Sequence, residues 1–251
     1  MDNHNEIIEK YYETFYKDLH EWRDYDLTSK GFEEWYYDCL PMDKKAKILD
    51  IGCGDGKFLF FLTNKGYQNV EGLELSKQQA EEARKNVKCR IHEVGDTNIF
   101  LKKSFDTYQM ITMNDVLEHI PKKDMIKLLK NILAAIKPGG TLIVNVPQVA
   151  GLSSLFCRYV DFTHETIFTE MSLKQVLLSA GFSQVRFIPQ KWPLKLTPRH
   201  LTYRIVRFIW YFILKIIYII ESPGEKHPSY FQDRLVAEAI RASIKNKKSV
   251  K

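Results

Sequence analysis

The sequence predicts an α/β fold in which a mostly parallel sheet of seven strands, the last antiparallel, carries helices on both faces. Three observations support this. From Lys47 to Pro147, apolar runs of strand length alternate with helical patterns, as in repeated βα units whose strands are buried on both sides. The first run, ILDIGCGDGKF at Ile48–Phe58, passes from a strand into a glycine loop and then into a helix. Two late strands, GFSQVRFIPQ and RLVAEAIRA, are separated by an insertion over 191–232 with its own helical pattern. The chain divides into an N-terminal helical cap, 1–44, and a domain over 45–251 that contains the insertion.

In the cap, HNEIIEKYYETFYKDLHEW and GFEEWYYDCL place Ile7, Ile8, Tyr11, Tyr12, Phe15 and Leu19 at spacings of three and four. Two readings stand. The helices cover one sheet edge, or they close over a ligand with a tyrosine or Trp22 lining it. After the glycine loop come KFLFFLTNKG as a helix and NVEGLEL as the second strand. SKQQAEEARKN, CRIHEVG, DTYQMITMND, DMIKLLKNILAAIK and TLIVNVP then read as helix, strand, strand, helix and strand, and SLKQVLLSAG is a further helix.

Glycines 52, 54 and 56 let a ligand come closer to the backbone than a Cβ would allow, in a turn that visits φ > 0. The helix start beyond them suits a carboxylate or a phosphate. A close variant of this loop holds dinucleotides. Here Asp50 and Asp55 would repel two phosphates, whereas a ligand with a sulfonium and an ammonium tolerates them. Glu74 ends the second strand, placed to accept from ribose hydroxyls.

With these residues, Asp96 in EVGDTNIF, the stretch FDTYQMITMNDVLEHI and the KPGG turn at 137–140, the chain resembles the class I S-adenosylmethionine-dependent methyltransferases over roughly residues 45–185. The resemblance implies a Rossmann-like sheet and S-adenosylmethionine as cofactor. It implies loop contacts from Asp50, Gly52, Cys53 and Gly54, ribose contacts from Glu74 with Leu75, and adenine contacts from Asp96 and Thr97. Asn114 and Asp115 fall at the methionine part. Asp96 also reads as a solvated turn residue. His119 either faces the transferred methyl or helps start the helix announced by Pro121 and Asp124.

RYVDFTHETIFTE matches a D-x-x-H-x-x-x-F pattern of methyltransferases for small molecules and sugars. Methyl transfer to an alcohol needs in-line placement and removal of one proton. His164 is the candidate base or acceptor-hydroxyl ligand, with Asp161 holding its tautomer; the alternative is a histidine that anchors its own loop. No metal site is expected from spacing, although Asp161 and His164 are of the type that ligates an assisting divalent cation.

At 251 residues, with 45% hydrophobic and 27% charged residues, the chain has ordinary globular composition. Four cysteines without C-x-x-C spacing and a polar, acidic N-terminus without a signal pattern point to the cytoplasm. The charge of +6 is uneven. Between Glu170 and Glu221 no acid occurs, while Lys174, Arg186, Lys191, Lys195, Arg199, Arg204, Arg207 and Lys215 do, and RASIKNKKSVK adds a basic tail. An anionic partner is expected: a phosphorylated substrate, a lipid headgroup surface or nucleic acid.

Within the insertion, LTYRIVRFIWYFILKIIYIIES sets Arg204, Arg207, Tyr211, Lys215, Tyr218 and Ser222 in one stripe of an otherwise apolar helix. Its longest uncharged run is seven residues, 208–214, far short of the ~20 that span a bilayer. Three readings remain: internal packing, a homodimer interface, or peripheral contact of 199–221 with the inner face of a membrane.

The D-x-x-H segment and this insertion also resemble methyltransferases of bacterial surface-polysaccharide pathways, those of O-antigen and capsule. The expected activity is O-methylation of a sugar or phosphosugar hydroxyl on a nucleotide- or lipid-linked glycan precursor. A quinone or another small apolar metabolite is the alternative acceptor. Nucleic acid is not expected as a partner, because MNDVLEH stands where amino methylases carry N-x-x-Y and no RNA-binding module precedes the fold. For the same reasons a nucleic-acid-binding methyltransferase or a non-catalytic subunit ranks last.

Overall fold

Alternation along each strand decides which residues meet. The structure, a computed structural model, describes residues 25–151, 154–189, 191 and 197–243, together with Ile7 and Lys10. Most of the first N-terminal helical pattern, Trp22, the start of the insertion at 192–196 and the basic tail from 244 lie outside the described residues.

The sheet runs in the order β3 (Arg90–Glu93), β2 (Asn69–Glu74), β1 (Lys47–Ile51), β4 (Tyr108–Asn114), β5 (Ile136–Pro147), β7 (Arg234–Ile240) and β6 (Gln184–Ile188). β7 is antiparallel to both neighbours, and every other pairing is parallel. Odd residues of β1, β4 and β7, such as Leu49, Ile111 and Ala237, join one core with even residues of β5; their neighbours Ile48, Met110, Val236 and Ile143 join another. The first core lies under α4 (Thr97–Lys102), α5 (Lys122–Ala135) and α7 (Glu170–Ser179). The second lies under α1 (Tyr25–Tyr36), α2 (Lys57–Asn64) and α3 (Lys77–Asn86). Each fully buried Leu, Ile or Phe in these layers is worth about 1.5–3 kcal/mol.

Local signals set the helix starts. The Ser76 hydroxyl accepts the Gln79 N–H to cap α3, Asp96 accepts from Asn98 N–H to cap α4, and Thr169 with Ser172 forms a capping box for α7. Sequence periodicity missed α4, which is short, and α6 (Ser154–Tyr159). The KPGG segment belongs to β5 and is not a separate turn. Gly139 takes φ 79°, and a Cβ on Gly140 would stand 2.6 Å from the Gln109 carbonyl oxygen, so glycines let the strand bulge and still pair with β4.

Between β6 and β7 stands α8 (Pro198–Glu221). Leu214 is buried and Tyr211 and Tyr218 are partly so, against Ala150 and Phe231 near the carboxyl end of β5. The remaining large apolar side chains face outward: Phe208 is 74% exposed and Ile220 71%. No helix among the described residues is long and apolar enough to cross a membrane.

Candidate active site

The glycine loop ties the ends of β1, β2 and β4 together. The N–H groups of Gly52 and Cys53 both donate to the Leu73 carbonyl, at 2.8 and 2.9 Å. Gly54 N–H donates to Glu74 Oε2 at 2.7 Å, while Glu74 Oε1 accepts from Leu75 and Ser76, each at 2.9 Å. The loop's donors at 52–54 are therefore spent on β2. Gly56, in the left-handed conformation at φ 91°, starts α2 without a side-chain cap. The glycines serve close approach. A Cβ on Gly52 would meet Val116 Cγ2 at 2.4 Å, so its absence lets the turn after β4 close on the loop.

Asp50 and Glu74 are buried at this edge, at 1% and 5% exposure. Thr112 Oγ1 donates to Asp50 Oδ1 at 2.6 Å and Asn114 Nδ2 to the same atom at 3.3 Å. Burial pushes the Asp50 carboxyl up to about 7 against these bonds, and it raises Glu74 against its three backbone donors. Asp55 is ion-paired to Lys57, so of the two acids expected to repel a dinucleotide only Asp50 is without a cationic partner among the described residues. Gln79 Oε1, buried and without a hydrogen-bond partner among the described residues, lies 3.4 Å from where a Gly54 Cβ would be.

Two tyrosines of α1 reach the same place. Tyr36, fully buried against Phe58, donates to Asn114 Oδ1. Tyr25 donates to the Asp55 carbonyl at 2.7 Å and accepts from Asn86 Nδ2 at 2.7 Å. The aromatic spacing in GFEEWYY was legible as a helix, but its hydroxyl partners were not. Asp96 is exposed and caps α4, with Thr97 as the first residue of that helix. Asp115, at φ 55°, pairs with Arg234, whose Nε donates to Asn145 Oδ1 at 2.8 Å. Desolvation works upward on Asp115, but Arg234 outweighs it and holds the carboxyl below its usual range.

The three candidate catalytic residues come together, with different wiring from that expected. His119 and His164 stack at 4.8 Å between ring centroids. The Asp161 carboxylate lies 3.9 Å from His164 Nε2, too far for a hydrogen bond. Its Oδ1 instead accepts from the Thr163 N–H and hydroxyl, at 2.8 and 2.6 Å, and the Thr163 oxygen meets His119 Nδ1 at 2.8 Å. The Thr163 proton is committed to a carboxylate, so His119 must donate from Nδ1 and keep its lone pair on Nε2. Asp161 thus orients His119 through Thr163, and does not hold the tautomer of His164. Burial, then the neighbouring His164, lowers the His119 pKa and keeps the ring neutral. Glu118, absent from the expected set, is fully buried beside it, and its backbone carbonyl accepts from Glu165 and Thr166 at 2.8 and 3.1 Å.

A sheet of this order, with a glycine loop and two buried carboxylates at its carboxyl edge, defines a class I S-adenosylmethionine-dependent methyltransferase fold. The chain belongs to the methyltransferase domain family, whose model matches residues 20–186. It is similar to the methyltransferase GfsG of Streptomyces halstedii, 27% identical over 149 residues that cover 57% of this chain and 52% of that protein. It is also similar to a ubiquinone biosynthesis O-methyltransferase of Coxiella burnetii, 32% identical over 106 residues, 39% and 42% of the two chains. The chain thus spans about half, or less, of the curated relatives it matches. A SAM-dependent methyltransferase from Archaeoglobus fulgidus shares the fold, with a TM-score of 0.63 at 17% identity over 92% of this chain and 100% of that one. S-adenosylmethionine is the cofactor of the domain. The buried acids and the glycine approach at 52–54 fit a cationic ligand.

Proposed function

We propose that the chain methylates a hydroxyl of an acceptor carried at a bilayer surface, a sugar or phosphosugar of a lipid-linked glycan precursor. Bound S-adenosylmethionine supplies a methyl group made electrophilic by its sulfonium. Asp50, Glu74, Asp96 and Asn114 hold it in this reading, with Gly52 and Gly54 giving it room. His119 Nε2 takes the hydroxyl proton, and Asp161 acts on it through Thr163.

One observation carries the choice of acceptor: α8 turns its apolar side outward while its partly buried stripe, Tyr211, Leu214 and Tyr218, sits near the carboxyl end of β5. At 100° per residue, Arg204 and Lys215 flank the exposed face on one side, and Tyr203 with Trp210 on the other. That is the arrangement of a helix lying in a membrane interface. Apart from Glu221 at its end, α8 carries no acid to pair with the cations of a second copy.

The test is flotation with phosphatidylglycerol vesicles at low salt, paired with methyl transfer to nucleotide sugars, phosphosugars and lipid-linked sugars. Flotation that Phe208→Asp with Ile216→Asp abolishes, and transfer to the lipid-linked acceptor, are expected. A chain that stays in the dense fraction overturns the membrane part, and transfer to none of the sugars overturns the acceptor. The similarity to a ubiquinone O-methyltransferase favours a second reading, a lipid-soluble quinone precursor, and transfer to a catechol-type acceptor would select it.

A further inference from the structure

Glu118 is a buried acid with a second carboxylate, Asp115, beside it. The residue is fully buried, and among the described residues neither carboxylate oxygen has a donor in hydrogen-bond geometry. Two acids so placed need a shared proton or a nearby cation to balance them. Ligand atoms of Glu118, His119 and His164 all lie within 4.8 Å of one another. The backbone holds this arrangement: the Glu118 carbonyl pins residues 165 and 166, which fixes the His164 loop against the turn that carries Glu118 and His119. His119 donates from Nδ1 to Thr163, whose own proton goes to Asp161, and this fixes the orientation of the ring. A carboxylate-backed hydrogen bond that orients the ring in this way is the usual support of a metal-bound histidine.

We propose that Glu118, His119 and His164 form a binding site for one divalent transition-metal ion that accepts mixed imidazole and carboxylate ligands, Mn2+, Co2+ or Zn2+. Two imidazoles and one carboxylate suit these ions better than Mg2+, which prefers oxygen alone. Bonds of about 2.0–2.2 Å require the three ligands to draw in by roughly 1–1.5 Å on binding, within reach of side-chain rotation. Three protein ligands leave positions open. On the proposed acceptor reading an acceptor hydroxyl takes one of them, while ion binding itself does not depend on that reading. In the ion-bound form His119 is a ligand and the acceptor proton leaves to water.

The competing balance is a proton held by Glu118 against the nearby Asp115, whose own partner is Arg234. Titration of the chelator-dialysed full chain separates the two. Mn2+ followed by electron paramagnetic resonance, and Zn2+ by calorimetry, should saturate at one ion per chain. Glu118→Gln and His164→Ala should each weaken binding at least about tenfold, while S-adenosylhomocysteine affinity stays within about threefold. In the wild-type chain Zn2+ should shift the ring signals of two histidines in NMR spectra, a readout that needs no variant. No saturable ion, or an ion that leaves those signals unmoved, overturns the site and leaves the shared proton. Failure to methylate any sugar leaves the titration intact and bears only on the acceptor.

Discussion

Asp50 sets the pH behaviour of the donor site. Its carboxyl is raised to about 7, first by burial, while the bonds from Thr112 and Asn114 pull the other way. In the unfolded chain an aspartate titrates near about 3.9. The native state therefore binds the extra proton between about pH 4 and 7, and stability falls as pH rises through that window. At about 1.4 kcal/mol for each pH unit between the two values, the loss reaches a few kcal/mol at most. Urea unfolding at pH 5 and pH 8 should show a larger loss in the wild type than in Asp50→Asn, where the raised Glu74 still contributes; equal losses would remove Asp50 as a cause. A cationic ligand favours the ionised form, so S-adenosylmethionine affinity should rise from pH 6 to pH 8 in calorimetry. The acid at position 50 was legible because it precedes the glycines. Thr163 and Glu118 were not, since their roles depend on contacts between the turn at 117–119 and the connection at 163–166.

At the scale of elements, α8 separates periodicity from orientation. The stripe of Arg204, Arg207, Tyr211, Lys215 and Tyr218 was readable from a 3.6-residue period, and an amphipathic helix normally buries its apolar side. Here the tyrosines face the body, where the Tyr218 hydroxyl donates to the Ala150 carbonyl at 3.4 Å and Arg207 Nε donates to Tyr211 at 2.6 Å. Periodicity states that two faces differ and is silent on which one finds a partner. Leu214→Ala should cost about 2–3 kcal/mol in thermal unfolding, at the low end for a buried leucine because its cluster is small. Ile216→Ser, on the outward face, should change stability by no more than about 0.5 kcal/mol. The opposite ranking would mean that the helix packs the other way round.

Across the molecule, the sheet is closed by contacts between segments remote in sequence. Arg241, just past β7, donates to the Leu133 and Ala134 carbonyls at the end of α5, each at 3.1 Å, and pairs with Asp106 before β4. A cation at a helix C-terminus with charged hydrogen bonds contributes about 1.5–3 kcal/mol. Arg241→Ala should therefore lower the melting temperature by roughly 5–10 °C, while leaving cofactor affinity unchanged by calorimetry. A loss of affinity would show that β7 also positions the site.

The sequence by itself determined the βα order, the glycine loop with Asp50 and Glu74, and hence the methyltransferase fold. Those features are local: strand-length apolar runs, a turn that needs φ > 0 and acids at fixed distances from it carry their meaning within one segment. Only the tertiary structure decided that Asp161 serves His119 through Thr163, that Glu118 is buried beside two imidazoles, and that α8 faces outward. Each depends on which side chains from separate connections converge at the carboxyl edge of the sheet, and burial and hydrogen-bond partners are properties of that convergence.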